Sequence, residues 1–243
     1  MDDVTLAHDL AQQAGKILIE LRESNEFEGK SLGKAGDAKA NQYLMEELRR
    51  LRPDDGILSE ETKDTPERLN KSRVWIIDPV DGTREYSEGR DDWAVHVALS
   101  IDGAPSMGAV ALPDAGLTLT SADKFHTKTA SSPLRMVVSR SRPAKEAVYI
   151  ADKLGAELIE MGSAGAKAMA LVRGIADIYV HSGGQYEWDN CAPAAVARAA
   201  GFHCTRIDGS PLIYNQKDTY LPDLLFCHTA NSQEVLDLIK NMK

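Results

Sequence analysis

The spacing of apolar residues predicts that the chain begins with two helices followed by a group of strands. Apolar residues recur at helical intervals over residues 5–22 and 38–51. Short apolar runs then occupy residues 57–58, 73–78, 93–101 and 107–112. The last two runs are joined by the turn at 101–105, which favours a β-hairpin. This part of the chain is therefore expected to be α+β.

From residue 134 onward, strand patterns alternate with helix patterns. Strands are predicted over residues 135–139, 157–161, 176–181, 202–207 and 224–227, and helices over 144–154, 164–173, 189–200 and from 231 onward. Such alternation is typical of an α/β arrangement. We therefore expect two abutting halves, residues 1–130 and 131–243, with the boundary in the polar stretch 124–133.

Composition narrows the class of protein. The chain has 243 residues, of which 43% are hydrophobic, enough to bury one large core or two smaller ones. Its net charge of −9 argues against a nucleic-acid-binding protein, which needs a basic surface. No apolar run is long enough to span a membrane, and the acidic amino terminus is unlike a secretory leader. We expect a cytoplasmic protein with no membrane partner.

The segment Asp78-Pro79-Val80-Asp81-Gly82-Thr83 carries the strongest chemical signal. It follows the apolar run 74–77, so its two carboxylates are expected at a strand end and in the following loop, where they suit a divalent cation. Gly82 permits a sharp turn, and Thr83 can present its N–H and hydroxyl to an anion. An isolated Asp-Gly is usually only a turn, but five defined positions in six residues arise by chance about once in ten thousand chains of this length. The segment indicates metal and phosphate chemistry.

Together with three other segments, this one resembles the inositol monophosphatase superfamily of magnesium-dependent, lithium-sensitive phosphatases. The other segments are residues 56–61, which end in paired glutamates, the Gly-Ser-Ala turn at 162–164, and Glu187-Trp188-Asp189 with the following Ala-Pro-Ala. They occur in the family's order and extend over nearly the full chain. The resemblance implies the five-layer αβαβα sandwich of the sugar phosphatase fold, with the active site in the cleft between the halves.

The resemblance also implies two to three Mg²⁺ ions. Glu60, Asp78 and the Val80 carbonyl would hold one ion, Asp78, Asp81 and Asp189 a second, and a weaker third would lie near Glu60. Taken alone, Glu60 and Glu61 are more typical of a solvated acidic pair, and Asp189 of a helix cap.

Asp37 and Thr83 are the residues that the resemblance implies for orienting the attacking water. Asp37 lies at the start of the second predicted helix, where an ordinary cap is the alternative, and Gly36 and Lys34 stand where the family more often has threonines. The N–H groups of Gly82 and Thr83 would hold the phosphate oxygens.

The continuation Thr83-Arg84-Glu85-Tyr86 resembles the branch of the superfamily that hydrolyses 3'-phosphoadenosine 5'-phosphate to AMP in sulfate assimilation. The implied partner is this small nucleotide bisphosphate, and a homodimer is compatible with the family. One alternative is an inositol-1-phosphate or fructose-1,6-bisphosphate phosphatase with the same catalytic core. An alternative of another class is a non-catalytic, nucleotide-binding regulator.

Contacts to the rest of the substrate are less specific in the sequence. Besides Glu60, Gly82, Thr83 and Asp189, which would lie at the reacting phosphate, the candidates are Ser163 for the ribose or phosphate, and Lys167 and Arg84 for the 5'-phosphate. For Lys167 a solvated helix lysine is an equal alternative. The glycines before Tyr186 leave room for adenine beside Tyr186 or Trp188, although either ring could instead be core.

Overall fold

Five layers make up the fold, in the order helix, sheet, helix, sheet, helix. The computed structural model describes residues 1–125 and 129–242. Residues 126–128, which belong to the predicted boundary stretch 124–133, lie outside the described residues, and the division into residues 1–130 and 131–243 stays a prediction. The outer helical layer consists of α1 (Asp3–Glu23) and α2 (Gly29–Leu51).

The first sheet lies directly under α1 and α2. Its strands are β1 (Gly56–Ser59), β2 (Arg73–Asp81), β3 (Ala94–Ile101), β4 (Ala104–Leu112) and β5 (Leu117–Thr120), in that spatial order. β1 runs parallel to β2, and the remaining neighbours are antiparallel. The predicted hairpin is the β3–β4 pair. β5 was not predicted, because its four residues, Leu-Thr-Leu-Thr, are a short and weak signal that pairing with β4 stabilises.

The second sheet is mixed. Its strands are β6 (Arg135–Ser139), β7 (Glu157–Met161), β8 (Ile178–Ser182), β9 (Phe202–Thr205) and β10 (Asp223–His228), in the order β7-β6-β8-β10-β9. β6 is parallel to both of its neighbours, whereas β10 is antiparallel to β8 and β9. The alternation of strands and helices expected after residue 134 is therefore present.

Two buried helices, α5 (Ala164–Val172) and α6 (Glu187–Ala199), fill the layer between the sheets. Every residue of α5 from Ala164 to Leu171 is buried, and most are alanine or glycine, because sheets press on the helix from both sides. α4 (Lys145–Leu154) and α7 (Ser232–Lys240) cover the outer face of the second sheet. The expected αβαβα sandwich is confirmed. No helix in the described ranges combines the length and apolarity needed to cross a bilayer.

The second helix begins at Gly29, so the predicted start at residue 38 is wrong, and Asp37 lies in the helix interior rather than at its start. Two glycines weakened the helical pattern here, and tertiary packing explains both. A Cβ on Gly33 would lie 2.9 Å from Thr83 Cγ2, and one on Gly36 would lie 2.7 Å from the Tyr86 ring. Their small size lets α2 approach the short helix α3 (Thr83–Ser87), which outweighs their poor helix propensity.

Candidate active site

A β-bulge brings the two aspartates of β2 together. In the β2–β3 ladder Asp78 pairs with His96 and Asp81 pairs with Ala94, so three steps along β2 match two along β3. In a regular strand, residues three apart point to opposite faces, whereas one extra residue turns both to the same side. Pro79, which has no N–H to offer a ladder, lies inside the bulge. β2 therefore continues through Asp81, and the expectation that Asp81 sits in a following loop is wrong.

Asp189, in the second half of the chain, lies next to these two aspartates. Carboxylate oxygens of Asp78, Asp81 and Asp189 lie within 4.8 Å of one another. Asp189 is the third residue of α6, and its Oδ2 accepts a hydrogen bond of 2.7 Å from the N–H of Tyr186. Its other oxygen is available to the cluster, so the alternatives of helix cap and cluster member are compatible.

Glu60 lies beside this cluster because β1 is parallel to β2. Ser59 pairs with Ile77, which places the next residues of the two strands, Glu60 and Asp78, side by side. The residue as a whole is exposed, but its carboxyl end lies against the acidic cluster. Desolvation of that carboxyl end, followed by repulsion from Asp189, raises the pKa of Glu60 to about 7.

The cluster holds more negative charge than its surroundings neutralise. Burial, then repulsion from Glu60 and Asp81, raises the pKa of Asp78 well above its usual value. Burial, then repulsion from Asp81, raises the pKa of Asp189 to about 7. A hard divalent cation with oxygen ligands is the species that such a set of carboxylates accommodates. The residues present therefore fit a Mg²⁺-type ion.

Asp81 differs from its neighbours because it is surrounded by donors. Ser163 Oγ and the Gly165 N–H donate to its Oδ2 at 2.5 and 2.6 Å, and the Ala164 N–H donates to Oδ1 at 3.1 Å. Burial alone would raise the pKa of Asp81, but the charge of His96 and these hydrogen bonds lower it to about 2. Asp81 is therefore ionised, and Oδ1, which receives one donor, keeps a lone pair for a cation.

His96 is a member of the site that sequence reasoning missed. It is fully buried, with Nε2 3.1 Å from Asp81 Oδ2 and Nδ1 3.0 Å from the Trp188 carbonyl. The carbonyl can only accept, so Nδ1 carries a proton. Burial lowers the pKa of His96, but Asp81 outweighs it and the net shift is upward. The available signal was a histidine in a mostly apolar strand, and its meaning depended on the β2–β3 register.

We expect Gly165→Ala to destabilise the protein by about 1–3 kcal/mol, the scale of core overpacking. A Cβ at this position would lie 2.1 Å from His96 Nε2, and the buried ring has no space to retreat. Urea unfolding of the two single variants, Gly165→Ala and His96→Ala, and of the double variant would measure the coupling. The methyl group should cost much less once the ring is gone, and additive effects would contradict the clash.

The structure brings Asp37 and Thr83 together. Thr83 Oγ1 lies 3.1 Å from Asp37 Oδ1 and 3.0 Å from the Val80 carbonyl oxygen, and its single proton serves one acceptor at a time. Burial, then repulsion from Glu61, raises the pKa of Asp37 to about 6. The pair lies where α2 meets α3, next to the acidic cluster, and its role in orienting water stays a prediction.

Gly82 and Arg84 flank Thr83 on the chain. Gly82 has a φ of +90°, a conformation that favours glycine, and it directly precedes α3. Arg84 points to solvent, with Nε 2.8 Å from the Glu88 carboxylate. Substrate contacts of both residues stay predictions.

Lys167 is not a solvated helix lysine, so that alternative is wrong. It is buried, and its Nζ donates to the carbonyl oxygens of Gly162 and Ser163 at 2.6 and 2.5 Å. Burial lowers the pKa of Lys167 to about 8. Lys167 thus stabilises the Gly162–Ser163 turn, and the Ser163 hydroxyl of this turn donates to Asp81. Whether Ser163 and Lys167 also touch substrate stays a prediction.

Three aromatic rings pack together near the start of α6, the helix that carries Asp189. The rings of Tyr186 and Trp188 are stacked, with centroids 4.9 Å apart and planes 10° apart, and Tyr220 meets Tyr186 at 5.4 Å and 67°. Tyr186 and Tyr220 are both exposed, whereas Trp188 is partly buried against the central core.

Known proteins resemble this chain over nearly its whole length. It is 47% identical to a Mycobacterium leprae protein named 3'-phosphoadenosine 5'-phosphate phosphatase, with 100% of this chain and 95% of the relative covered. A Mycobacterium bovis protein of the same name is 49% identical, over 93% of this chain and 89% of the relative.

A solved structure and a family match agree with these relatives. The crystal structure of CysQ from Bacteroides thetaiotaomicron, described as a bacterial member of the inositol monophosphatase family, has a TM-score of 0.78 and 25% identity, and the alignment covers 93% of this chain and 97% of CysQ. Residues 1–239 match the inositol monophosphatase family itself. The chain therefore belongs to the inositol monophosphatase family.

Proposed function

We propose that this protein is a Mg²⁺-dependent 3'(2'),5'-bisphosphate nucleotidase that hydrolyses 3'-phosphoadenosine 5'-phosphate to AMP and phosphate in sulfate assimilation. The observation that carries the proposal is the 47–49% identity to relatives named for this phosphatase activity, across almost the entire chain. The acidic cluster beside a Thr–Asp pair supports the same chemistry. A cytoplasmic location and a homodimer accompany the proposal as predictions from sequence.

The family is metal-dependent, and the acidic cluster is where an ion would bind. Glu60, Asp78 and the Val80 carbonyl would hold one Mg²⁺, and Asp78, Asp81 and Asp189 a second, with a third near Glu60. Bound metal supplies Lewis-acid stabilisation of phosphate charge and a lower pKa for water. A number of two to three ions is part of the proposal.

The protein groups would contribute orientation and hydrogen bonds. Thr83, whose hydroxyl proton faces Asp37 and the Val80 carbonyl, would accept a hydrogen bond from a water, which turns a lone pair of that water toward phosphorus. The N–H groups of Gly82 and Thr83 would bind phosphate oxygens. Phosphoryl transfer depends mainly on such positioning and on charge compensation, and it requires no covalent enzyme intermediate here.

The test is phosphate release with Mg²⁺, measured as kcat/KM for 3'-phosphoadenosine 5'-phosphate, inositol 1-phosphate and fructose 1,6-bisphosphate, each with and without lithium. We expect a strong preference for the nucleotide, because inositol 1-phosphate lacks both a base and a second phosphate, and fructose 1,6-bisphosphate lacks a base. Comparable rates on all three substrates would point to a broad sugar phosphatase with the same core. No release from any of them would favour a non-catalytic regulator.

A further inference from the structure

A crevice is expected at the end of β6, where the strand order of the second sheet changes direction. β6 is parallel to β7 on one side and to β8 on the other. In sheets of this kind, the connections leave the shared strand ends on opposite sides and open a ligand site there. The residues that follow β6 are Arg140-Ser141-Arg142, while β7 leads into the Gly162–Ser163 turn that binds Asp81, and β8 leads into Gly183-Gly184. The ends of these strands therefore adjoin the turn that contacts Asp81 of the acidic cluster.

Most cationic groups near these strand ends already have partners. Arg140 pairs with Glu85 at 2.8 Å and with Glu88 at 2.5 Å, and Arg84 pairs with Glu88. The Lys167 ammonium is buried against two carbonyl oxygens. The two cations that sequence analysis nominated for the 5'-phosphate, Arg84 and Lys167, are thus engaged elsewhere.

Arg142 is different. It is exposed, and across residues 1–125 and 129–242 its guanidinium forms no ion pair; its one hydrogen bond is a long contact of 3.4 Å from Nη2 to the Gly183 carbonyl. The neighbouring Glu146 carboxylate instead accepts from Ser182 Oγ at 2.6 Å. A guanidinium without a carboxylate retains its donors for a ligand.

The Gly183–Gly184 turn keeps the Arg142 guanidinium close to the strand ends. A Cβ on Gly184 would lie 2.6 Å from Arg142 Nη2, so a side chain there would push the guanidinium away. The charges of Lys167 and Arg142 both act on His181 at the end of β8, where burial, then Lys167, lowers the pKa to about 4. Arg142 contacts the turn that follows β8, and Lys167 Nζ lies 5.4 Å from the ring centroid of Tyr179 in the same strand. Both cations therefore lie along β8, with Lys167 on the side of the Ser163 turn that contacts Asp81.

We propose that Arg142 binds the phosphate that the enzyme does not cleave, the 5'-phosphate of the nucleotide substrate. This inference rests on the proposed function and assigns it a specificity residue. A planar guanidinium can donate two parallel N–H hydrogen bonds to two oxygens of one phosphate. Inositol 1-phosphate, and a nucleoside with only a 3'-phosphate, have no second phosphate to receive them. Arg142 therefore selects bisphosphates.

The test pairs a truncated side chain with a truncated substrate. kcat/KM is measured for Arg142→Gln and the unmodified protein on 3'-phosphoadenosine 5'-phosphate and on adenosine 3'-monophosphate, which lacks the 5'-phosphate. We expect Arg142→Gln to lose about ten- to a hundredfold on the bisphosphate, mostly through KM, and far less on the monophosphate. Arg142→Lys should recover part of the loss, because it restores charge without the planar fork.

Lys145→Gln is the matched control. Lys145 is an exposed cation at the start of the adjacent α4, so its substitution by glutamine also removes one positive charge from this part of the surface. It should leave the preference for the bisphosphate intact. An equal loss on both substrates, or no loss on either, would overturn the role of Arg142. Hydrolysis of neither nucleotide by the unmodified protein would overturn the proposed function and this inference with it, an outcome distinguishable from the other two.

Discussion

Asp81→Asn is expected to lower kcat for phosphate release by about a hundredfold or more, the scale for removal of a catalytic electrostatic group. Asp81 is ionised and lies within the carboxylate cluster, so the change removes a negative oxygen ligand. It also turns an acceptor into a group with two donors, facing the Ser163 hydroxyl and the Gly165 N–H. Steady-state phosphate release over a range of Mg²⁺ concentrations measures the effect.

Asp92→Asn separates the effect of metal binding from the effect of anchoring the Gly162–Ser163 turn. Asp92 is also a buried carboxylate that holds this turn, since its Oδ2 accepts from the Gly162 N–H at 2.6 Å, but it is not a member of the acidic cluster. We expect Asp92→Asn to lower the melting temperature and to retain most activity at a temperature where it is folded. Equal losses of kcat in the two variants would mean that Asp81 serves mainly to position the Gly162–Ser163 turn.

Without divalent metal, the protein should lose stability as the pH rises from about 4 to about 7. The folded-state pKa values of Glu60 and Asp189 are raised to about 7, above their ordinary values of 4.5 and 3.8. In this window the folded state retains protons that the unfolded state has released, so stability present at low pH is lost as the pH rises. His181, whose pKa is lowered to about 4, acts in the opposite direction but is one group against several.

Mg²⁺ should reverse this trend, because it binds the ionised carboxylates and competes with their protons. Thermal unfolding at pH 5 and pH 7.5, with MgCl₂ or with KCl at equal ionic strength, measures the difference. Each retained proton is worth about 1.4 kcal/mol per pH unit, and each kcal/mol about 2–4 °C in Tm for a chain of this size. We therefore expect Mg²⁺ to raise the Tm by several degrees more at pH 7.5 than at pH 5.

Asp78→Asn provides the internal comparison. Asp78 is buried beside Glu60 and Asp81, and its raised pKa means that the metal-free folded state must either take up a proton there or tolerate a buried charge. Asp78→Asn removes that cost, so it should raise the metal-free Tm at pH 7.5 and abolish most of the stabilisation by Mg²⁺. An equal Mg²⁺ effect at both pH values, or undiminished stabilisation in Asp78→Asn, would show that the ion does not bind this cluster.

Local patterns were sufficient for much of the fold. The bounds of β6 and β7 were predicted to the residue, because strands of five residues between turn signals leave little choice of period. The start of α2 was missed, because Gly33 and Gly36 favour a break locally and only their contact with α3 explains the helix. β5 was missed for the related reason that pairing with β4, rather than its own four residues, stabilises it.

The sequence by itself determined the order of elements, the chemical character of the site and the resemblance to a phosphatase family, because these depend on residue types and short spacings. Only the tertiary structure decided that a bulge turns Asp78 and Asp81 to one side, that the His96 ring lies against Asp81, and that Lys167 is buried while Arg142 remains unpaired with any carboxylate of the described chain. Each of these depends on strand register or on contacts between distant segments. Such contacts are fixed by packing of the whole chain, and no local pattern encodes them.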